Sequence, residues 1–104
     1  MRLDTRYGFP EDLEININGV TGRLVDLSTS GCQILSPAPL SQNQMARLQL
    51  PFDEISITCT GRVVWARMEA AGGGRSAGWR AGLRFTKLDE ADIEAFVIRY
   101  STPQ

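Results

Sequence analysis

The chain of 104 residues contains no histidine. Histidine is the commonest general base, a member of the usual serine and cysteine triads, and the commonest ligand of zinc and non-haem iron. No pair of carboxylates and no phosphate-binding glycine loop offers a different catalytic arrangement. We therefore expect a protein that is not an enzyme and that carries neither a metal nor a cofactor.

Cysteine and long apolar runs are also scarce. The two cysteines, Cys32 and Cys59, lie far apart in apolar, strand-like segments, which favours buried free thiols over a disulfide or a metal pair. No apolar stretch reaches the ~18 residues that a membrane-spanning helix needs, and no signal peptide is visible. These features predict a cytoplasmic protein without membrane insertion.

Positive charge is limited in amount and in kind. The net charge is −1 and the pI is about 5.3, and Lys87 is the only lysine among eleven basic residues. Such a chain has no basic field to attract a phosphate polymer, so we do not expect a nucleic acid polymer as a partner. Arginine does provide a planar fork of donors that suits single phosphates and base edges.

The middle of the chain has the alternating pattern of β-strands. Six segments show one apolar face, and they comprise residues 13–17, 22–28, 31–36, 45–52, 55–68 and 79–85. In the fifth segment the shared face is predicted to hold Ile55, Ile57, Cys59, Gly61, Val63 and Trp65. Residues 18–22 are expected to form a turn, and Gly61 indicates a bend or bulge. The pattern predicts a mainly β, antiparallel barrel or sandwich.

The last segment has a helical period instead. Asp89 is a good N-cap, and Ile93, Phe96, Val97 and Tyr100 recur at helical spacing, which predicts one amphipathic helix over residues 89–100. We expect a single domain over residues 1–104, with a flexible arm at 1–12, a barrel at 13–86 and this closing helix.

Two short motifs could carry a function. Arg2 and Arg6 form an Arg-x-x-x-Arg motif, and Asp26, Ser28 and Gly31 form Asp-x-Ser-x-x-Gly between the second and third strands. The second motif can be a compact turn in which Asp and Ser side chains bind nearby backbone amides. Alternation also places Asp26 and Ser28 on one face, where they would project together from the outer wall. Both interpretations stay open at this point.

The two motifs in this order resemble the signature of the PilZ domain, a bacterial receptor module for cyclic di-GMP. The resemblance extends to residues 61–67, the glycine-rich hairpin after them, residues 81–85 and the Asp-capped helix. It implies a six-stranded antiparallel (split) β-barrel with one C-terminal helix. It also implies a role in second-messenger signalling, in processes such as biofilm formation and motility.

The resemblance implies a set of ligand-binding residues as well. Arg2 and Arg6 would meet phosphates or guanine, Asp26 would accept from a guanine edge, Ser28 would bind a phosphate or base, and Gly31 would allow close approach. In the family the arm folds over a ligand on the outer wall. We therefore expect the ligand to order the arm and the arm to contribute nothing to the core.

Trp79 and Arg80 are further candidates, because either could stack on a base. A structural interpretation, with Trp79 in the core and Arg80 in solvent, is favoured over that role. The alternative to a receptor is a degenerate PilZ domain that acts as a protein–protein interaction module in pilus or motility assembly. Asp4, a negative charge between the two arginines, and the short arm keep this alternative open.

Overall fold

The computed structural model describes residues 5–71 and 77–102. These ranges contain seven strands and one helix, namely β1 (Tyr7–Gly8), β2 (Glu14–Ile17), β3 (Val20–Leu27), β4 (Gly31–Ser36), β5 (Met45–Phe52), β6 (Ile55–Glu69), β7 (Gly78–Lys87) and α1 (Glu90–Tyr100). Every predicted strand is present, and only β1 was not expected.

Strands β2 to β7 close into a barrel. Their order around the ring is β3, β2, β5, β6, β7, β4, and β4 pairs again with β3. All pairings are antiparallel. The predicted six-stranded antiparallel barrel is confirmed, and β1 is an additional strand on β3.

The barrel interior is filled by the apolar residues of the alternating strands. The side chains with almost no exposure are Ile17, Leu27, Cys32, Ile34, Leu48, Leu50, Cys59 and Val63 from the barrel, together with Ile93 and Phe96 from α1. Both cysteines are free and buried, as predicted. Burial raises the pKa of the Cys59 thiol from 9.0 to about 12 and raises that of Cys32 well above its ordinary value.

The first hairpin is tighter than predicted. Asn18 and Gly19 both have positive φ, at 53° and 88°, and Ile17 lies directly opposite Val20. Two such residues make the two-residue turn that suits the twist of a β-hairpin. The expectation of a turn through residue 22 is therefore wrong, because β3 begins at Val20.

A β-bulge in β6 changes which residues face the core. Val63 lies opposite Leu83 and Trp65 lies opposite Gly82, so Val64 is an extra residue on β6. An extra residue reverses the alternation beyond it. Trp65 is consequently 37% exposed on the outer wall, and the prediction that it shares the inner face is wrong.

Two other predictions for β6 have different outcomes. The irregularity predicted at Gly61 is confirmed, because the register with β7 shifts between Thr60 and Gly61. Ile55 was expected on the inner face, but it is 68% exposed. It is the first residue of β6 and lies opposite Phe52 at the hairpin turn, where the barrel interior ends.

The C-terminal helix is capped and packed as its sequence predicts. The Asp89 carboxylate accepts the backbone N–H of Asp92 at 3.0 Å, and Ile93, Phe96 and Val97 are buried. These residues belong to the same apolar cluster as the barrel core. Within the described part of the chain, no helix has the length and apolar character required to cross a lipid bilayer.

The N-terminal arm is attached to the domain by its own residues. Tyr7 and Gly8 pair with the end of β3, and Phe9 is buried in the core cluster. The backbone of Gly8 also accepts a hydrogen bond from the N–H of Thr102 at 2.9 Å. The expectation that the arm contributes nothing to the core is therefore wrong from Tyr7 to Phe9.

Candidate functional site

Asp26 lies at a second β-bulge, close to the end of β3. Leu24 is opposite Ile34, whereas Asp26 is opposite Gln33, so β3 contains one more residue than β4 between these pairs. The Asp26 carboxylate accepts the backbone N–H of Gln33 at 3.1 Å and its side-chain Nε2–H at 3.0 Å. Gln33 thus holds the carboxylate from the neighbouring strand.

Arg6 meets Asp26 on the same wall. Its Nη1 donates to Asp26 Oδ1 at 2.8 Å, and the two side chains are 49% and 20% exposed. The pairing of Tyr7 with Leu27 explains this contact, because it places the residue before β1 beside the end of β3. One residue of each motif, 20 positions apart, is therefore in direct contact. Arg2 and Asp4 lie outside the described residues.

Ser28 does not stand beside Asp26 on the outer wall. It is only 2% exposed, and its hydroxyl is hydrogen-bonded with the Ser30 hydroxyl at 2.9 Å. Its backbone N–H donates to the carbonyl of Gly31 at 2.8 Å. These contacts are those of a compact serine turn. The expected joint projection of Ser28 with Asp26 is therefore wrong. The turn conformation is present at Ser28, whose hydroxyl also accepts the backbone N–H of Ser30 at 3.3 Å.

Gly31 is required by strand packing. A β-carbon built at this position would lie 2.1 Å from the carbonyl oxygen of Leu83 on β7. No side chain can be accommodated at that distance without moving one of the two strands. The glycine therefore serves the close approach of β4 to β7, which is a sufficient reason for it without any ligand.

A row of residues crosses four strands of the outer wall. Asp26 is opposite Gln33, Gln33 is opposite Gly82, and Gly82 is opposite Trp65. A β-carbon at Gly82 would be 2.2 Å from Trp65 Nε1, so the indole rests directly on the glycine backbone. The guanidinium of Arg67 lies 5.4 Å from the centre of the indole, which is within cation–π range.

Arginines flank this row on both sides. Arg62 is directly opposite Arg84, and Arg67 is directly opposite Arg80. Like charges directly opposite each other are destabilising, and within the second pair the ion pair of Arg80 with Glu69 offsets this repulsion. Arg84 is exposed and lies directly opposite Gly31, the last residue of the second motif.

The remaining predicted residues, Trp79 and Arg80, lie on opposite faces of β7. Trp79 alternates with Ala81 and Leu83, both of which are buried, so the structure does not bring Trp79 to the outer wall. The Arg80 Nε donates to Glu69 Oε1 at 2.5 Å, and the Arg80 side chain is only 17% exposed, so the expectation of Arg80 in solvent is wrong. The aromatic side chain on the wall is Trp65.

A shallow depression exists elsewhere on the barrel, lined mainly by polar residues of β2, β3, β5 and β6, such as Asn16, Thr21 and Gln49. Among residues 5–71 and 77–102, no group of three or more acidic or cysteine side chains is arranged to hold a metal ion. The outer wall around Asp26 is thus the best candidate site.

The family model of the PilZ domain matches residues 2–101 of the chain. No curated protein and no solved structure gives a significant match. The family match spans almost the entire sequence, and the barrel brings parts of both motifs together on one wall. The chain belongs to the PilZ domain family.

Proposed function

We propose that this protein is a receptor module for cyclic di-GMP that binds the nucleotide on the outer wall formed by β3, β4, β7 and β6. The PilZ family is known as a family of cyclic di-GMP-binding modules. The observation that carries the proposal is the 2.8 Å contact between Arg6 and Asp26. It joins the two motifs into one site with an exposed cation and a carboxylate side by side.

The chemistry of the wall suits the ligand. Cyclic di-GMP has two phosphates and two guanines, and an arginine fork binds either a phosphate or the O6 and N7 atoms of guanine. The Asp26 carboxylate can accept from guanine N1–H and N2–H₂. Trp65 offers a ring on which a purine can stack. Arg2 is proposed to supply a second fork from the arm.

We propose that nucleotide binding changes which group the Arg6 guanidinium contacts. A phosphate competes with Asp26 for the Arg6 guanidinium, so the bound and free states differ in the position of the arm. The arm continues into Gly8 and Phe9, which contact Thr102 and Phe96 at the C-terminal end. The differential affinity of the ligand for the two arm positions would then change the surface that a protein partner meets.

A second function is favoured by a different feature of the same site. Arg6 and Asp26 neutralise one another, and the Ser28 hydroxyl is bonded inside its turn. In this state the charged and hydroxyl groups of Arg6, Asp26 and Ser28 each have a protein partner, and none of them requires a nucleotide. Under this alternative the domain binds a protein in pilus or motility assembly and does not respond to cyclic di-GMP.

Isothermal titration of the wild-type chain with cyclic di-GMP separates the two functions. The receptor proposal expects saturable binding that weakens strongly in Arg6→Ala. Arg47→Ala is the matched control, because Arg47 is an exposed arginine on β5, which is not one of the four strands of the wall. Absence of binding to the wild type at high micromolar concentration would reject the receptor and favour the interaction module.

A further inference from the structure

The hydrogen bonds to Asp26 limit what its carboxylate can still accept. A carboxylate offers about four lone-pair positions, two on each oxygen. Oδ1 accepts from Arg6 Nη1 at 2.8 Å and from the Gln33 backbone N–H at 3.1 Å, while Oδ2 accepts from Gln33 Nε2 at 3.0 Å. With respect to residues 5–71 and 77–102, one position therefore remains, and it is on Oδ2.

A guanine edge needs one free acceptor position on each of the two carboxylate oxygens, not on Oδ2 alone. Its N1–H and one N2–H point in parallel, and together they bind a carboxylate through both oxygens. Oδ1 already accepts two hydrogen bonds, so one of its donors must leave. The Gln33 N–H belongs to the β4 backbone, which is paired with both β3 and β7. The half-exposed Arg6 side chain can leave without disturbing a strand.

We propose that guanine replaces Arg6 on Asp26, and that Gln33 is the positioning residue that holds the carboxylate during this exchange and sets the preference for guanine. This inference rests on the proposed function. Once Arg6 has moved, the contacts from Gln33 are the remaining protein hydrogen bonds to the carboxylate among the described residues. The backbone N–H of Gln33 binds Oδ1 and its Nε2 binds Oδ2. The Nε2 hydrogen bond therefore fixes the plane of the carboxylate, because a contact to Oδ1 alone would let the group rotate.

The test compares Gln33→Met with Gln49→Met. Methionine keeps the length of the side chain and removes the Nε2 donor. Gln49 is also a half-buried glutamine on a barrel strand, but β5 is not part of the wall, so it is a matched control. Each protein is titrated with cyclic di-GMP and with its hypoxanthine analogue cyclic di-IMP, which keeps N1–H but lacks the 2-amino group.

The wild type and Gln49→Met are expected to bind cyclic di-GMP about tenfold more tightly than cyclic di-IMP, the value of one additional hydrogen bond to a charged group. Gln33→Met is expected to lose most of this difference while still binding both nucleotides. A guanine preference that survives in Gln33→Met overturns this inference alone. A wild type that binds neither nucleotide overturns the proposed function and the inference together.

A measurement without nucleotide tests the positioning contact separately. The unfolding equilibrium is compared for Gln33→Met, Asp26→Ala and the double variant in a double-mutant cycle. Direct contact predicts that the two changes are not additive, with a coupling of at least about threefold in the unfolding constant. Additive effects would show that Gln33 does not hold the carboxylate, and would overturn the inference whatever the nucleotides do.

Discussion

The aromatic ring of Phe9 lies 5.3 Å from the ring of Phe96. This contact joins the segment that carries Arg6 to the C-terminal helix, and the hydrogen bond from Thr102 to Gly8 joins the same two segments through their backbones. The arm is thus attached to the fold at Phe9 and Gly8, and Arg6, the arginine proposed to bind the nucleotide, lies only three residues before Phe9. A displacement of Arg6 is therefore expected to be transmitted to the C-terminal helix through the contacts of Gly8 and Phe9.

Removing either ring should destabilise the domain. Phe96 is fully buried and Phe9 is 9% exposed, so Phe96→Ala and Phe9→Ala are each expected to cost about 3–5 kcal/mol of unfolding free energy. The double variant should lose less than the sum, because the rings contact one another. Urea unfolding of the three variants measures this. A Phe9→Ala variant as stable as the wild type would show that the base of the arm is not part of the core.

Arg6→Ala should affect binding far more than stability. A charge-assisted bidentate contact is worth about 1.5–3 kcal/mol, so cyclic di-GMP should bind at least tenfold more weakly. The ligand-free melting temperature should change little, because an ion pair with so exposed an arginine contributes only about 0–1 kcal/mol. Titration and melting of Arg6→Ala beside Arg47→Ala provide the comparison. Unchanged affinity, or a large fall in melting temperature, would contradict this assignment.

The two tryptophans should respond differently to the nucleotide. Trp65 lies on the outer wall and Trp79 on the other face of the sheet, and stacking on a base is worth about 1–3 kcal/mol. The chain has only these two tryptophans, so Trp79→Phe reports on Trp65 alone and Trp65→Phe on Trp79 alone. Cyclic di-GMP should change the fluorescence of Trp79→Phe much more than that of Trp65→Phe. The opposite result would move the stacking position to Trp79.

Gly31→Ala is expected to damage folding rather than ligand recognition. Its β-carbon would approach the Leu83 carbonyl to 2.1 Å, and relieving such a clash typically costs about 1–3 kcal/mol or more. Gly8→Ala is the control, because a β-carbon added there would make only ordinary contacts, the nearest at 3.4 Å to Thr102 Oγ1. A Gly31→Ala variant with normal stability but poor binding would instead give the glycine a direct role at the ligand.

Both thiols should be unreactive in the folded protein. Burial raises the pKa of Cys59 to about 12 and that of Cys32 well above 9.0, and the thiolate is the reactive form. A thiol reagent at pH 8 should label neither cysteine until denaturant is added. The unfolded chain ionises its thiols at lower pH than the folded chain, so stability should fall as the pH rises above about 9. Rapid labelling of the native protein would show that the barrel opens around β4 or β6.

The sequence by itself determined the class of the fold and most of its elements. Strand alternation placed Ile57, Cys59 and Val63 in the core, and the Asp89 cap and helical spacing located the helix. These features depend on neighbours within a few residues, because side-chain period and capping are local properties of the backbone. The two motifs were also visible as sequence, although their contact was not.

Only the tertiary structure decided which side chains share the outer wall. The bulges at Val25 and Val64 are set by the register of a pairing strand, and one extra residue reverses every later side chain. This shift exposes Trp65 and brings Gln33 opposite Asp26. The pairing of β1 with β3 likewise brings Arg6 to a carboxylate 20 positions away. The local sequence of one strand does not determine how that strand is aligned with its neighbour. The sequence therefore could not show which side chains meet at the site, and the pairing of the strands in the barrel decided it.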